Sequence, residues 1–366
     1  MTVCLSPNGS TVYTLDEPPS QVLVGTIRGI AVLEHAALHA PWRVARWMLE
    51  GLHISALLWE PRTGTLFAGV YGAPHGPGGL YRSRDKGHRW ERLTAGLACD
   101  YVYTLTAAER HGRTVLYAGM QPVHLYESED GGDTWRELPS IKDVPGHERW
   151  TFPAAPHQAH VKSVMMDRHD PSTLYVCIEQ GGLFKSTDSG TTWRELDGYV
   201  GPGDVFYKDV HRLVAAGNTI FLTSGDGLYC SPDGGEHWER LPGTERLAYP
   251  DAFVVSPHDE QIMFVAGGGA APPIWRQVHR ADSTVLRSRD GGRTWTVVGG
   301  GVVDCLRANI EALALAAWPG GMTLFAGTTD GDVFATDDEG ASWTRVASGL
   351  GAVSKAHHHL SLALPT

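Results

Sequence analysis

The eight residues SRDKGHRW, Ser83 to Trp90, decide the fold. The pattern Ser-x-Asp-x-Gly-x-x-Trp suits a tight turn between two antiparallel strands. Ser and Asp side chains can hydrogen-bond nearby backbone amides, Gly takes a positive φ, and Trp carries a ring large enough to bury between sheets. With Ser or Thr in first place it recurs at Ser128 to Trp135, Ser186 to Trp193, Ser231 to Trp238, Ser288 to Trp295 and Thr336 to Trp343. Successive Trp residues stand 45, 58, 45, 57 and 48 positions apart, the length of a four-stranded blade with loops of varying size.

Outward from each turn the same strand grammar repeats. HISALLW (His53 to Trp59), TLFAGV (Thr65 to Val70), GLYRS (Gly79 to Ser83) and Trp90 to Leu93 read as four successive strands. Six blades follow, at about 51–98, 99–140, 158–198, 207–243, 247–300 and 307–348. The ends supply a seventh, from 17–50 plus 357–366: QVLVGT (Gln21 to Thr26), GIAVL (Gly29 to Leu33) and Trp42 to Met48 as its outer strands, HHLSLAL (His358 to Leu364) as its first. The expected fold is all-β, a single seven-bladed β-propeller closed by pairing N- and C-terminal strands in one blade, which leaves no open sheet edge. The blade at the ends carries Glu34-His35-Ala36-Ala37-Leu38-His39 where the others carry the turn motif.

The turn motif resembles the Asp box of bacterial-neuraminidase-type (BNR) repeats, found in sialidases, sortilin-type ectodomains, xyloglucanases and photosystem II assembly factors. The resemblance covers nearly the whole chain. It implies that Asp85, Asp130, Asp188, Asp233, Asp290 and Asp338 are structural, on turns between third and fourth strands and away from any active site. Sialidase activity itself is not implied. Catalytic members use three arginines and an Arg-Ile-Pro signature, whereas here Arg28 is followed by Gly29, and Arg212 stands only next to the ring of residues described below.

Composition narrows the function. Among 366 residues the formal net charge is −11, which speaks against binding a phosphate backbone. The start, MTVCLSPNGST, lacks a basic stretch followed by a long apolar one, and no apolar run reaches membrane-spanning length, so a cytoplasmic protein with no membrane partner is expected. Five scattered cysteines without a CxxC pair indicate neither a disulfide framework nor a cysteine zinc site. Gly267-Gly268-Gly269 and Gly299-Gly300-Gly301 lack the strand-to-helix context of a phosphate loop, so no nucleotide cofactor is expected.

In a propeller the first strand of each blade lines the central channel. Aligning the seven first strands places His53, Tyr101, His160, Asp209, Tyr249, Asn309 and His358 at one level of the mouth, with Ser55, Tyr103, Lys162, His211, Asp251, Glu311 and Leu360 two residues further in. Imidazoles converging from separate blades, with carboxylates between them, are the inventory of a metal site. The expectation is a small-molecule enzyme or binding protein using a divalent transition metal (Fe, Zn, Cu, Mn or Ni). Its ligands would be His53, His160, His211 and His358, with Glu311, Asp251 and Tyr101 moving protons or orienting substrate. Asp209, Lys162, Tyr103, Tyr249, Trp150 and Trp275 are the substrate-binding candidates, and His75, His124, His147, His157, Tyr207 and His279 lie on loops reaching the same face. Hydrogen-bonded histidines lining a wet channel would look the same in sequence. Two other readings compete: a non-catalytic protein-interaction scaffold, and a metal-free glycoside hydrolase using the channel carboxylates Asp209, Asp251 and Glu311.

Overall fold

Seven sheets, six of four strands and one of five, antiparallel apart from two parallel pairings at their inner edges, stand around a central channel in the computed structural model, which describes residues 2–36, 40–72, 77–204, 206 and 208–363. In six of them four successive strands run in chain order from the inside out. Their inner strands are Ile54–Glu60, Val102–Arg110, His160–Met166, Val210–Ala216, Tyr249–Val255 and Ile310–Trp318. These strands are packed on both faces, so IEALALAAW at Ile310–Trp318 is apolar almost throughout rather than alternating. Glycine in the second strands lets the blades taper towards the axis: a Cβ at Gly119 would lie 2.5 Å from Val161 Cγ1 of the next blade.

The six repeat turns share one hydrogen-bond scheme. Ser83 Oγ accepts from the Gly87 amide at 2.8 Å and donates to Asp85 Oδ1 at 2.8 Å, and Asp85 Oδ1 in turn accepts from the Arg89 amide at 2.8 Å. The same links occur around Asp130, Asp188, Asp233, Asp290 and Asp338. Gly87 holds φ at +83°, and a Cβ there would strike Met48 Sδ of the neighbouring blade. The motif therefore closes the turn and seats it against the adjacent sheet.

Closure differs from expectation. The strand next to Gln21–Thr26 is the N-terminal Thr2–Leu5, which runs parallel to it with Thr2 opposite Gln21 and Leu5 opposite Val24. His358–Leu362 is a 3-10 helix over the channel mouth, and Leu364 lies outside the described residues. Burial explains the exchange: Val3, Cys4 and Leu5 fill a slot closed to solvent, a place for which the polar His358, His359 and Ser361 are poorly suited. Beyond Leu5 the chain threads the channel. The Asn8 and Ser10 amides bond the carbonyls of Ser55 and Leu57, and Val12–Thr14 pairs in parallel with the inner edge of Ile310–Trp318. In the blade without a repeat turn, His35 Nε2 donates to the Pro19 carbonyl at 2.9 Å and its ring packs 4.3 Å from Trp42, whereas residues 37–39 lie outside the described set. Among the described residues no helix is long and apolar enough to cross a membrane.

Candidate functional site

The inner strands do carry His160, Asp209, Tyr249 and Asn309 to one end of the channel, with Lys162, His211, Asp251 and Glu311 behind them. The C-terminal segment then covers this cluster. Ser354 and Lys355, fully buried, enter the mouth as a strap. The Lys355 ammonium meets Asp251 Oδ2, its amide donates to Glu311 Oε2 at 2.9 Å, and His53 Nε2 donates to the Ser354 carbonyl at 2.8 Å. Lys162 lies 3.4 Å from Asp251 Oδ1 and 3.9 Å from Glu179 Oε2.

Electrostatics hold this cluster together. Burial alone would raise the carboxyl groups, but the ammonium groups beside them hold Glu179 and Asp251 well below the usual carboxylate range. Burial lowers Lys162, while Asp251 and Glu179 overcome the same penalty at Lys355 and raise it. Glu311, steadied by His358 Nδ1 at 3.1 Å, is likewise lowered against its burial. These are charged groups committed to one another.

The predicted metal ligands do not converge. His53 serves the Ser354 carbonyl, His160 donates to Glu179 Oε2 at 2.7 Å while stacked 3.7 Å from Tyr103, His211 Nδ1 donates to the Pro250 carbonyl at 2.7 Å, and His358 serves Glu311. Only His211 belongs to a group of three possible ligands among the described residues, and its companions are Glu179 and Asp209. The predicted proton-moving groups are also redistributed. Asp251 and Glu311 are sealed behind the strap, and Tyr101 packs beside Tyr71 at the rim, 5.9 Å between ring centres.

Of the predicted substrate contacts, Asp209 and Tyr249 line a pocket over the mouth together with Tyr71, Gln121, Phe152, Gln180, Phe206, Arg276, His357 and His358. Tyr103 and Lys162 are buried below it. Trp275 is a core residue: it is fully buried, donates Nε1 to the Ala270 carbonyl at 2.7 Å and packs edge-on against Tyr249. Trp150 packs on Phe184 outside the pocket lining. Of the loop histidines, His124 pairs with Glu137 at 2.7 Å and His279 ends the short helix Pro272–Val278, while His75 and Tyr207 lie outside the described residues.

Sequence reasoning missed Glu179 and Lys355. Glu179 ends a second strand, LYVCIE, in a register where the other blades carry apolar or neutral residues, which is a readable signal. Lys355 lies in an irregular segment whose path no periodicity reports.

Acid sensitivity follows from these environments. Burial pushes the His53 imidazole down to about 4 and lowers His160, while hydrogen bonds from Thr192 and Thr294 hold Asp188 and Asp290 down to about 2. Each native value lies below its unfolded one, so the unfolded chain binds protons first and stability present at neutral pH is lost as pH falls. The loss is expected to start below about pH 6.5 through the histidines and to steepen below about pH 4 through the turn aspartates. Melting temperature recorded from neutral to acid pH checks this; a flat profile down to about pH 5 would remove the histidine contribution.

No family model matches the chain. It is 23% identical over 298 residues to a xyloglucanase of Paenibacillus sp, covering 71% of this chain and 27% of that protein. It is 24% identical over 267 residues to the xyloglucanase Xgh74A of Acetivibrio thermocellus, covering 64% and 31% respectively. The chain thus spans less than a third of the length of these curated relatives. Among solved structures, the GH74 xyloglucanase of Xanthomonas campestris superposes with a TM-score of 0.63 at 18% identity, over 95% of this chain and 56% of that one. These relatives overturn the expectation of a metal-dependent small-molecule enzyme, since those named are glycoside hydrolases. What this chain shares with them at this identity is the fold, a seven-bladed β-propeller of the kind found in GH74 enzymes.

Proposed function

We propose that this chain is a saccharide-binding propeller of glycoside hydrolase type, taking a glucan-backbone oligosaccharide of the xyloglucan class across its channel mouth. The observation that carries the reading is the make-up of the mouth pocket. Its walls combine apolar and aromatic faces (Tyr71, Phe152, Phe206, Tyr249) with the amides of Gln121 and Gln180, the Arg276 guanidinium and the Asp209 carboxylate. Ring faces suit the C–H surface of a pyranose, and the convergent polar groups suit its hydroxyls. The similarity to xyloglucanases and the six repeat turns, which support a place among Asp-box propellers, point the same way.

Hydrolysis of a glycosidic bond takes two carboxyl groups flanking it. Asp209 is the carboxylate lining this pocket, while Asp251 and Glu311 lie behind the strap with their oxygens engaged. The reading therefore assigns recognition, and not cleavage, to this mouth. Calorimetric titration of the full chain with xyloglucan and cello-oligosaccharides tests it. Binding is expected, weakened about tenfold by Phe152→Ala and by Gln180→Ala. Absence of binding to every glucan tried, or equal affinity in both variants, would overturn it.

A further inference from the structure

We propose that Glu179, Asp209 and His211 form a binding site for one divalent transition-metal ion of the Zn or Mn kind, with no part in glycoside hydrolysis. One possible ligand atom from each lies within 4.8 Å of the other two. Each of the three residues also carries a buried side-chain atom without a hydrogen-bond partner: Glu179 Oε1, Asp209 Oδ1 and His211 Nε2. Buried polar atoms are rarely left so, and three at one point call for a common explanation.

The hydrogen bonds around them supply it. His211 Nδ1 donates to the Pro250 carbonyl, so in the neutral ring the lone pair sits on Nε2, the atom that faces Asp209 Oδ1. With the ring neutral, the cluster offers three acceptors and no donor, which is an arrangement that a cation satisfies. A tetrahedral ion bound at about 2.1 Å sets its ligand atoms roughly 3.4 Å apart. His211 Nε2 and Asp209 Oδ1 are already 3.5 Å apart.

The surroundings fit the same ion. The remaining oxygen of Glu179 accepts from His160 Nε2 at 2.7 Å, which orients the carboxylate as outer hydrogen bonds do around metal ligands. The Asp209 backbone is pinned by a bridge to Glu179 and by the Gly225 amide at 2.8 Å. Lys162 and Lys355 approach Glu179 only to 3.9 and 4.0 Å and close on Asp251 instead, while Asp209 has His211 as its one ion-pair partner among the described residues. One imidazole and two carboxylates suit a borderline ion better than calcium or magnesium, which favour shells of oxygen alone. Asp209 lines the mouth pocket, so an ion has a way in and an open coordination position can face a ligand there.

The test uses the untagged full chain, purified without chelator or nickel resin and equilibrated with Zn or Mn alone. Elemental analysis after desalting is expected to find about one ion per chain. Asp209→Asn, which keeps the side-chain shape, and His211→Ala are expected to weaken binding about 100-fold or more. Cobalt replacing the ion should show ligand-field absorption that both variants lose, with far-ultraviolet circular dichroism confirming that they are folded. His53→Ala and His358→Ala are expected to keep the ion. Wild-type protein that binds no metal, or His358→Ala protein that loses it, overturns the proposal. Saccharide binding is read separately through Phe152 and Gln180, so metal without saccharide sinks only the saccharide reading, and saccharide without metal sinks only this one.

Discussion

Replacing Asp251 by alanine is expected to cost the fold about 3–5 kcal/mol. Its two oxygens face two ammonium groups, Lys162 at 3.4 Å on one side and Lys355 on the other, and all three residues are almost fully buried. Without the carboxylate both ammoniums stay in the channel with Glu179 as their nearest counter-charge, at 3.9 and 4.0 Å. Removing one partner of a buried ion pair costs far more than the pair contributes, because the orphaned charge keeps its desolvation penalty. Equilibrium unfolding in urea measures the effect. The double variant Asp251→Ala/Lys355→Met, which removes one charge of each sign, is expected to recover most of the loss. A single variant within about 0.5 kcal/mol of wild type would mean that the channel solvates its own charges.

Replacing Trp275 by alanine is expected to cost about 3–5 kcal/mol, the range for emptying a large aromatic site in a core. The indole is fully buried, sits edge-on to Tyr249 and His358, and clusters with Ala281 and Leu362. It pins the helix Pro272–Val278 and the strap to the mouth at one point. Loss of the ring should therefore loosen both, and amide hydrogen exchange over residues 354–362 is expected to rise together with the fall in stability. Unchanged exchange there would show that the strap is held by its charged contacts alone. The same variant separates two views of this residue, since a ligand-stacking Trp would leave stability near wild type.

The architecture was legible because its signal is local and repeated. The turn at Ser83 to Trp90 works through bonds that span at most four residues, so its chemistry can be read without knowing the fold. Six such turns with strand-like runs between them leave a propeller as the consistent architecture. Alignment of first strands also reached the mouth, placing His160, Asp209 and Tyr249 at the same end of the channel.

The register of the repeat carries no information about partners across the axis, and there the expectations failed. His53, His160 and His358 share a level in the alignment and His211 lies two residues further in, yet each ring turns to its own acceptor. Glu179 reaches the cluster from a second strand, and Lys355 from a segment without periodicity. Neither lies where the pattern directs attention.

The sequence by itself determined the seven sheets, the turns that tie them and the polar character of the channel mouth, because those rest on residue type and short-range spacing. Only the tertiary structure decided which terminus fills the innermost strand, which charges neutralise one another and which three acceptors are left facing each other. Those outcomes depend on burial and on contacts between residues as far apart as Asp251 and Lys355, and the free energy of such contacts is set by the surrounding dielectric and geometry, which no local pattern encodes.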